Sequence, residues 1–189
     1  MSWPKAITAK LFNSNTTLVY LAFAIMIIGK IIFWYGHPLL TYPDQAAYLQ
    51  MAELIANGKL PYIDFFEWNP PLIMYLNLIP LMLSKMLHVP VIAVFIYSVI
   101  ALCAFSAFTS LLFASRYMSK QQLTVFLPLL FAATYFNLNQ TTNIGEREHL
   151  FIVAYLPFLI LRGLAWQGEK ISKFDAILSA IVAAVGMAL

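Results

Sequence analysis

Long, nearly uninterrupted apolar runs constrain this chain more than any other feature of its sequence. A helix needs roughly 20 apolar residues to cross the hydrocarbon core of a bilayer, because each residue adds about 1.5 Å. Stretches close to this length lie at residues 18–35, 91–115, 121–137, 149–165 and 174–189. The sequence therefore predicts an all-α membrane protein, a polytopic helical bundle that forms a single transmembrane domain over residues 1–189.

Charge supports the same class and argues against nucleic-acid binding. Only 10% of the residues are charged, against roughly 25% in soluble domains, which leaves too few charges to coat a water-facing surface. The net charge is +3, from 11 basic and 8 acidic residues, and the basic ones are scattered. We therefore expect no nucleic-acid partner. The first run is longer than the apolar core of a signal peptide, so it predicts an uncleaved span.

The longest polar stretch of the chain, residues 36–70, is predicted to belong to a loop on the outer face that extends over residues 36–88. Within it, residues 44–57 have the pattern of a short amphipathic helix that lies on the membrane surface. Asp44 follows a proline where an N-cap residue is expected, and Gly58 follows as a stop signal.

The apolar stretch Pro71–Leu87 decides the topology, and it has two interpretations. Pro80 lies in its middle, and proline in a helix removes a backbone hydrogen bond. If the stretch crosses the bilayer completely, Arg116 and Lys120 fall outside. If it enters and returns as a re-entrant hairpin, the flanking basic residues all lie in the cytoplasm: Lys5, Lys10, Arg116, Lys120, Lys170 and Lys173.

The distribution of charge favours the re-entrant hairpin. Short cytoplasmic loops carry an excess of lysine and arginine, and only the hairpin satisfies this bias at every loop. It also puts the acidic loop residues together on the far face: Asp44, Glu53, Asp64, Glu67, Glu146 and Glu148. We therefore predict a cytoplasmic N-terminus. No organelle-targeting signal is visible in the sequence, and the expected location is a bacterial inner membrane.

The loop residues then suggest a family. The first outer loop carries Asp44, Tyr48, Leu54, Gly58, Pro61-Tyr62, Asp64 and Asn69-Pro70-Pro71-Leu72, and the second carries Gly145-Glu146-Arg147-Glu148-His149. This pattern resembles the C-type (GT-C) membrane glycosyltransferases, which include protein mannosyltransferases and lipid A aminoarabinose transferases. The resemblance covers roughly residues 17–189. The final run stops without a polar flank, so the chain is predicted to be the N-terminal portion of such an enzyme, and its activity alone is an open question.

The resemblance implies a reaction and its partners. A sugar moves from a polyprenyl-phosphate carrier in the membrane lipid to an acceptor, of unknown identity, on the non-cytoplasmic face. Such chemistry needs a base for the acceptor hydroxyl, a cation for the leaving phosphate and a groove for the lipid.

Each candidate site residue has a functional and a structural interpretation. Asp44 is the predicted catalytic base, or it caps the surface helix. Glu146 and Glu148 are predicted catalytic acids that could also hold a divalent metal ion, or Glu148 merely suits the start of a helix. The predicted substrate and phosphate ligands are Arg147, His149, Asp64 and Glu67.

Other functional classes stay open beside the transferase. A transporter or flippase component would also have broken helices and intramembrane charge. In a structural subunit of a membrane complex, neither of the two acidic loop motifs would take part in chemistry.

Overall fold

The computed structural model describes residues 14–37, 42–140 and 143–189. Lys5 and Lys10, which contribute to the predicted orientation, lie outside these residues. The described part of the chain is all helical and has no strand. Its helices are α1 (Ser14–Gly36), α2 (Pro43–Ala56), α3 (Leu72–Leu76), α4 (Leu78–Leu87), α5 (Val91–Tyr117), α6 (Lys120–Leu138), α7 (Arg147–Trp166) and α8 (Lys173–Met187).

Three of these helices are long and apolar enough to cross a membrane: Thr17–Gly36 within α1, and the whole of α5 and α7. The surface of α1 shows why a membrane suits it. Its buried side carries Phe23 and Ile27, whereas Leu18, Ile25 and Ile32, each seven residues apart, are all more than 60% exposed. A large exposed apolar face is unfavourable in water and favourable against lipid. The chain is therefore compatible with a membrane protein.

The other two predicted spans correspond to helices that are not among the three long, apolar ones. Residues 121–137 fall in α6, which is 19 residues long but is not among the three helices above. Most of residues 174–189 fall in α8, which ends at Met187 and whose 15 residues extend only about 22 Å, against a hydrocarbon core of about 30 Å. The count of five spans stays a prediction.

The start of α2 differs from the sequence-based expectation for Asp44. Pro43 occupies the first helical position and Tyr42 is the N-cap residue, so Asp44 lies one residue inside the helix. The backbone N–H of Tyr42 donates to the Gln45 side chain at 2.8 Å. Proline favours the first helical position because its missing N–H has no helical partner there. The prediction that Asp44 stands at the N-cap was wrong.

The segment between residues 70 and 90 is held by contacts at both of its ends. At its beginning, Asn69 accepts a hydrogen bond from Arg147 at the start of α7. After its end, Phe95 in the first turns of α5 packs against Gly145, just before α7. The short helices α3 and α4 join at the buried Asn77, whose amide donates to the Ile73 carbonyl at 2.8 Å. Both ends of this segment therefore meet the loop that precedes α7.

The opposite end of the helices is held by one buried ion pair. Arg116, at the end of α5, contacts the Asp175 carboxylate of α8 at 2.8 Å. The Tyr117 hydroxyl donates to the same carboxylate at 2.6 Å, and the Ser172 backbone N–H donates to Tyr117. Asp175 is 2% exposed. A buried carboxylate needs this number of partners, because each lost partner leaves charge without solvation.

Replacing Asp175 by alanine should destabilise the protein by about 2–3 kcal/mol, because the part-buried Arg116 then loses its counter-ion. The measurement is the unfolding midpoint in detergent micelles. Lys59→Ala is the matched control, since Lys59 and Asp64 form an exposed pair at 3.8 Å that should contribute less than about 1 kcal/mol. Equal effects of the two substitutions would contradict the assignment.

Candidate functional site

Arg147 is the centre of a group of polar side chains at the end of the molecule where the two acidic loops meet. It is the first residue of α7, and its Nη1 donates to Asn69 Oδ1 at 2.6 Å. Its Nε and Nη2 both donate to Oε1 of the neighbouring Glu148, at 3.2 and 2.7 Å. One guanidinium therefore joins a fixed amide on one side to a carboxylate on the other.

Asn69 fixes the position of that guanidinium. Its side-chain amide donates to the Tyr48 hydroxyl at 2.9 Å and to Glu67 Oε1 at 2.8 Å. Its backbone N–H also donates to Glu67 Oε1, and its carbonyl accepts from the Tyr62 hydroxyl. Every polar group of Asn69 has a partner, so its Oδ1 faces Arg147 in one orientation.

Tyr48 forms the floor beneath Asn69. It lies one helical turn after Asp44 on α2, which puts the two side chains on the same face. It is buried against Ile73 and Met74 of α3. The pKa of Tyr48 is raised by burial and by the charge of Glu67, with Arg147 acting in the opposite direction. The hydroxyl therefore stays protonated at neutral pH.

Glu146 brings the second acidic loop close to Asp44. It is the N-cap residue of α7, yet its side chain makes no cap hydrogen bond. The pKa of Glu146 is raised by partial burial and further by the negative charges of Asp44 and Glu148. Asp44 itself is exposed at the start of α2. These residues make up one group, which we call the polar cluster: Asp44, Tyr48, Glu67, Asn69, Glu146, Arg147 and Glu148.

His149 is placed beneath the loop and not among the exposed acids. It is 5% exposed, and its Nδ1 accepts the Gly145 backbone N–H at 3.0 Å. Its Nε2 lies 4.0 Å from Cys103 Sγ. An acceptor Nδ1 puts the ring proton of the neutral tautomer on Nε2. The ring therefore supports the backbone of the loop, and contact with a phosphate stays an untested prediction.

Asp64 is also kept apart from Arg147 by its own turn. Its Oδ2 accepts the Leu60 backbone N–H at 2.8 Å, and Lys59 lies 3.8 Å from Oδ1. The exposed Phe66 and Trp68 rings in the same loop form an edge-to-face pair, with centroids 4.9 Å apart. These contacts order the loop, while of the two acids predicted there only Glu67 reaches the polar cluster.

The described residues do not form a ready metal site. Within residues 14–37, 42–140 and 143–189 no three histidine, cysteine or acidic side chains come together in a geometry that could hold a metal ion. One of the two Glu148 carboxylate oxygens, Oε1, already accepts from Arg147. We therefore assign no step to a metal, and the predicted site at Glu146 and Glu148 stays a prediction.

Two members of the polar cluster were not predicted as site residues. Tyr48 and Asn69 belong to the family-like loop pattern, but nothing in their spacing from Arg147 indicates contact. The one available signal is local, since an asparagine before Pro70-Pro71 has a polar side chain beside a backbone that cannot continue a preceding helix.

Comparison of the chain with protein-family models, with curated proteins and with solved structures gives no match. Function is therefore argued from the polar cluster itself.

Gly145→Ala should destabilise the loop before α7. Gly145 has a φ of +76°, and an added Cβ would lie 2.3 Å from the Phe95 ring, so we expect a loss of about 2–4 kcal/mol from backbone strain and overpacking together. Gly58→Ala is the control, because Gly58 has a φ of +84° with open space around it. A smaller shift of the unfolding midpoint for Gly145→Ala than for Gly58→Ala would contradict this packing.

Glu146→Gln should stabilise the protein at neutral pH. A carboxyl whose pKa is raised by folding disfavours the folded state once it is ionised, so the unfavourable contribution is absent below the unfolded-state pKa and complete above the folded-state pKa. The unfolding midpoint of the variant should exceed that of the wild type at pH 8, and the difference should disappear at pH 4. An equal gain in stability at pH 8 for Glu53→Gln, an exposed change on α2, would contradict this account.

Proposed function

We propose that this chain is part of a C-type membrane glycosyltransferase that moves a sugar from a polyprenyl-phosphate carrier to an acceptor on the non-cytoplasmic face. The observation that supports this most directly is the hydrogen bond between Arg147 and Asn69. It joins the two loops that hold the acidic motifs. The same guanidinium pairs with Glu148 and interacts electrostatically with Glu67. A base for a hydroxyl and a cation for a leaving phosphate are thereby available in one place.

We further propose that residues 71–87 form a re-entrant hairpin within a multi-pass protein of a bacterial inner membrane. Arg147 meets the beginning of this segment and Gly145 packs just after its end, which is the arrangement that a hairpin requires. Arg116 and Asp175 then lie at the cytoplasmic end. The N-terminus is cytoplasmic in this topology.

In the proposed reaction, the acceptor hydroxyl attacks the anomeric carbon of the sugar, and Asp44 takes the hydroxyl proton. The bond between that carbon and the phosphate oxygen breaks, and the polyprenyl phosphate leaves with the electron pair. Arg147 stabilises the phosphate by hydrogen bonds and charge. Glu146, whose pKa is raised, orients the acceptor at the same end.

A transporter or flippase component is the second candidate, and one residue favours it. Lys30 lies inside α1 and is 8% exposed, and intramembrane charge often marks a transport path. However, its Nζ donates to Asn139 at 3.1 Å and lies over the rings of Phe33 and Trp34. These partners satisfy much of its charge without a transported ion.

The topology can be tested by labelling single cysteines in intact cells with an impermeant thiol reagent. In a Cys103→Ser background, Ser84→Cys and Asn143→Cys should both react from outside, because the hairpin returns to the outer face. Lys170→Cys, at the predicted cytoplasmic end, should react only after the membrane is opened. Protection of Ser84→Cys and Asn143→Cys in intact cells would contradict the proposed topology.

The chemistry can be tested by sugar transfer in membrane vesicles that contain polyprenyl-phosphate-linked radiolabelled sugar. Asp44→Asn and Arg147→Ala should each reduce the rate by roughly 100-fold or more, since each removes a group that acts in the transition state. Glu53→Gln, which changes an exposed acid on α2 outside the polar cluster, should retain the wild-type rate. Full activity in Asp44→Asn and Arg147→Ala would rule out these roles.

A further inference from the structure

We propose that Glu148 occupies the edge of Arg147 on which a phosphate group binds, and that a phosphate ligand enters by displacing Glu148 while Asn69 holds the guanidinium in place. The proposal rests on the proposed function for the class of ligand, a prenyl phosphate. It adds an exchange step at that site and gives Glu148 and Asn69 opposite roles.

The geometry of Arg147 divides its donors between two partners. Nε and Nη2 form the fork that matches two oxygens of a phosphate, and both donate to Glu148 Oε1. The third nitrogen, Nη1, donates to Asn69 instead. The edge best suited to a phosphate is therefore already occupied by an oxyanion of the chain itself.

The two partners differ in how firmly they are held. The Glu148 side chain is 68% exposed and belongs to the residue next to Arg147, so its carboxylate can turn into water. An exposed ion pair of this kind contributes roughly 0–1 kcal/mol. Asn69 is held by Tyr48, Glu67 and Tyr62. An incoming ligand therefore replaces Glu148 more readily than Asn69.

The net negative charge of the polar cluster favours a phosphate that replaces Glu148 on Arg147 over a phosphate that binds while Glu148 stays in place. Four carboxylates lie in the cluster with a single guanidinium, so a phosphate added to all of them would meet net repulsion. Removing Glu148 from Arg147 before or during binding takes one negative charge away from the ligand. The start of α7 then presents its positive dipole end to the phosphate as well.

Exchange predicts changes of opposite sign at the two neighbours of Arg147. Glu148→Gln removes the competing charge and should tighten phosphate binding. Asn69→Ala removes the anchor and should weaken it. A purely structural role for the Arg147 contacts would make both substitutions loosen Arg147 and weaken binding together.

The experiment is calorimetric titration of the purified chain in detergent with farnesyl phosphate, and separately with inorganic phosphate. Glu148→Gln should lower the Kd for farnesyl phosphate roughly 2–5-fold, and Asn69→Ala should raise it roughly 10-fold. Arg147→Ala should abolish binding, and Glu53→Gln should leave it unchanged. If Asn69→Ala does not fold, Tyr48→Phe, which removes one partner of Asn69, should raise the Kd about 2-fold.

The two probes distinguish a lipid phosphate from a free one, since only farnesyl phosphate carries an apolar chain. Unchanged or weaker binding in Glu148→Gln, or absence of phosphate binding by the wild-type chain, overturns the exchange. The transferase proposal is judged separately by sugar transfer. Opposite shifts of the Kd together with absence of sugar transfer by the full-length protein would support the exchange and reject the enzyme. Sugar transfer by the full-length protein, with no tighter phosphate binding in Glu148→Gln, would support the enzyme and reject the exchange.

Discussion

The hydrogen bond from Arg147 to Asn69 is the contact on which the arrangement of the polar end depends. It joins positions 78 residues apart and so fixes where the segment after Asn69 begins relative to α7. Because Gly145 packs against Phe95, the same loop also fixes where that segment returns. A complete crossing by residues 71–87 would carry the start of α5 to the far end, away from Gly145. Two contacts made by one loop thus support the proposed hairpin.

The sequence predicted the parts of the fold that depend on composition along the chain. Apolar runs long enough to span a bilayer predicted α1, α5 and α7, and the structure has three such helices. For the last run, the sequence predicted the start of the helix to within one residue. Ser172 accepts the Asp175 N–H and starts α8 at Lys173. The resulting 15-residue helix is shorter than a typical span.

The charged residues of the polar cluster can be selected from the sequence, but the residues that support them cannot. Glu146, Arg147 and Glu148 are recognisable because charge beside an apolar run is unusual. Tyr48 and Asn69 act through contacts between distant segments, which no local pattern reveals. Asp44 was expected at the N-cap, but Pro43 and Gln45 begin that helix. His149 resembles its ionisable neighbours in sequence, and only the Gly145 amide in space shows that its ring supports the backbone.

Glu146 and Glu148 of the polar cluster contribute little that folding requires, and this argues for a chemical role. Glu146 is placed where burial and neighbouring charge oppose its ionised form, so a glutamine would suit stability better. The pair of Arg147 with the exposed Glu148 adds little free energy. The part-buried Arg116 and the buried Asp175, in contrast, hold two helices together at the opposite end. Glu146 and Glu148 are separated by one residue and have different environments. Glu146 is disfavoured as an anion, whereas Glu148 is paired with a guanidinium. Acid–base chemistry needs two carboxylates whose environments differ in this way.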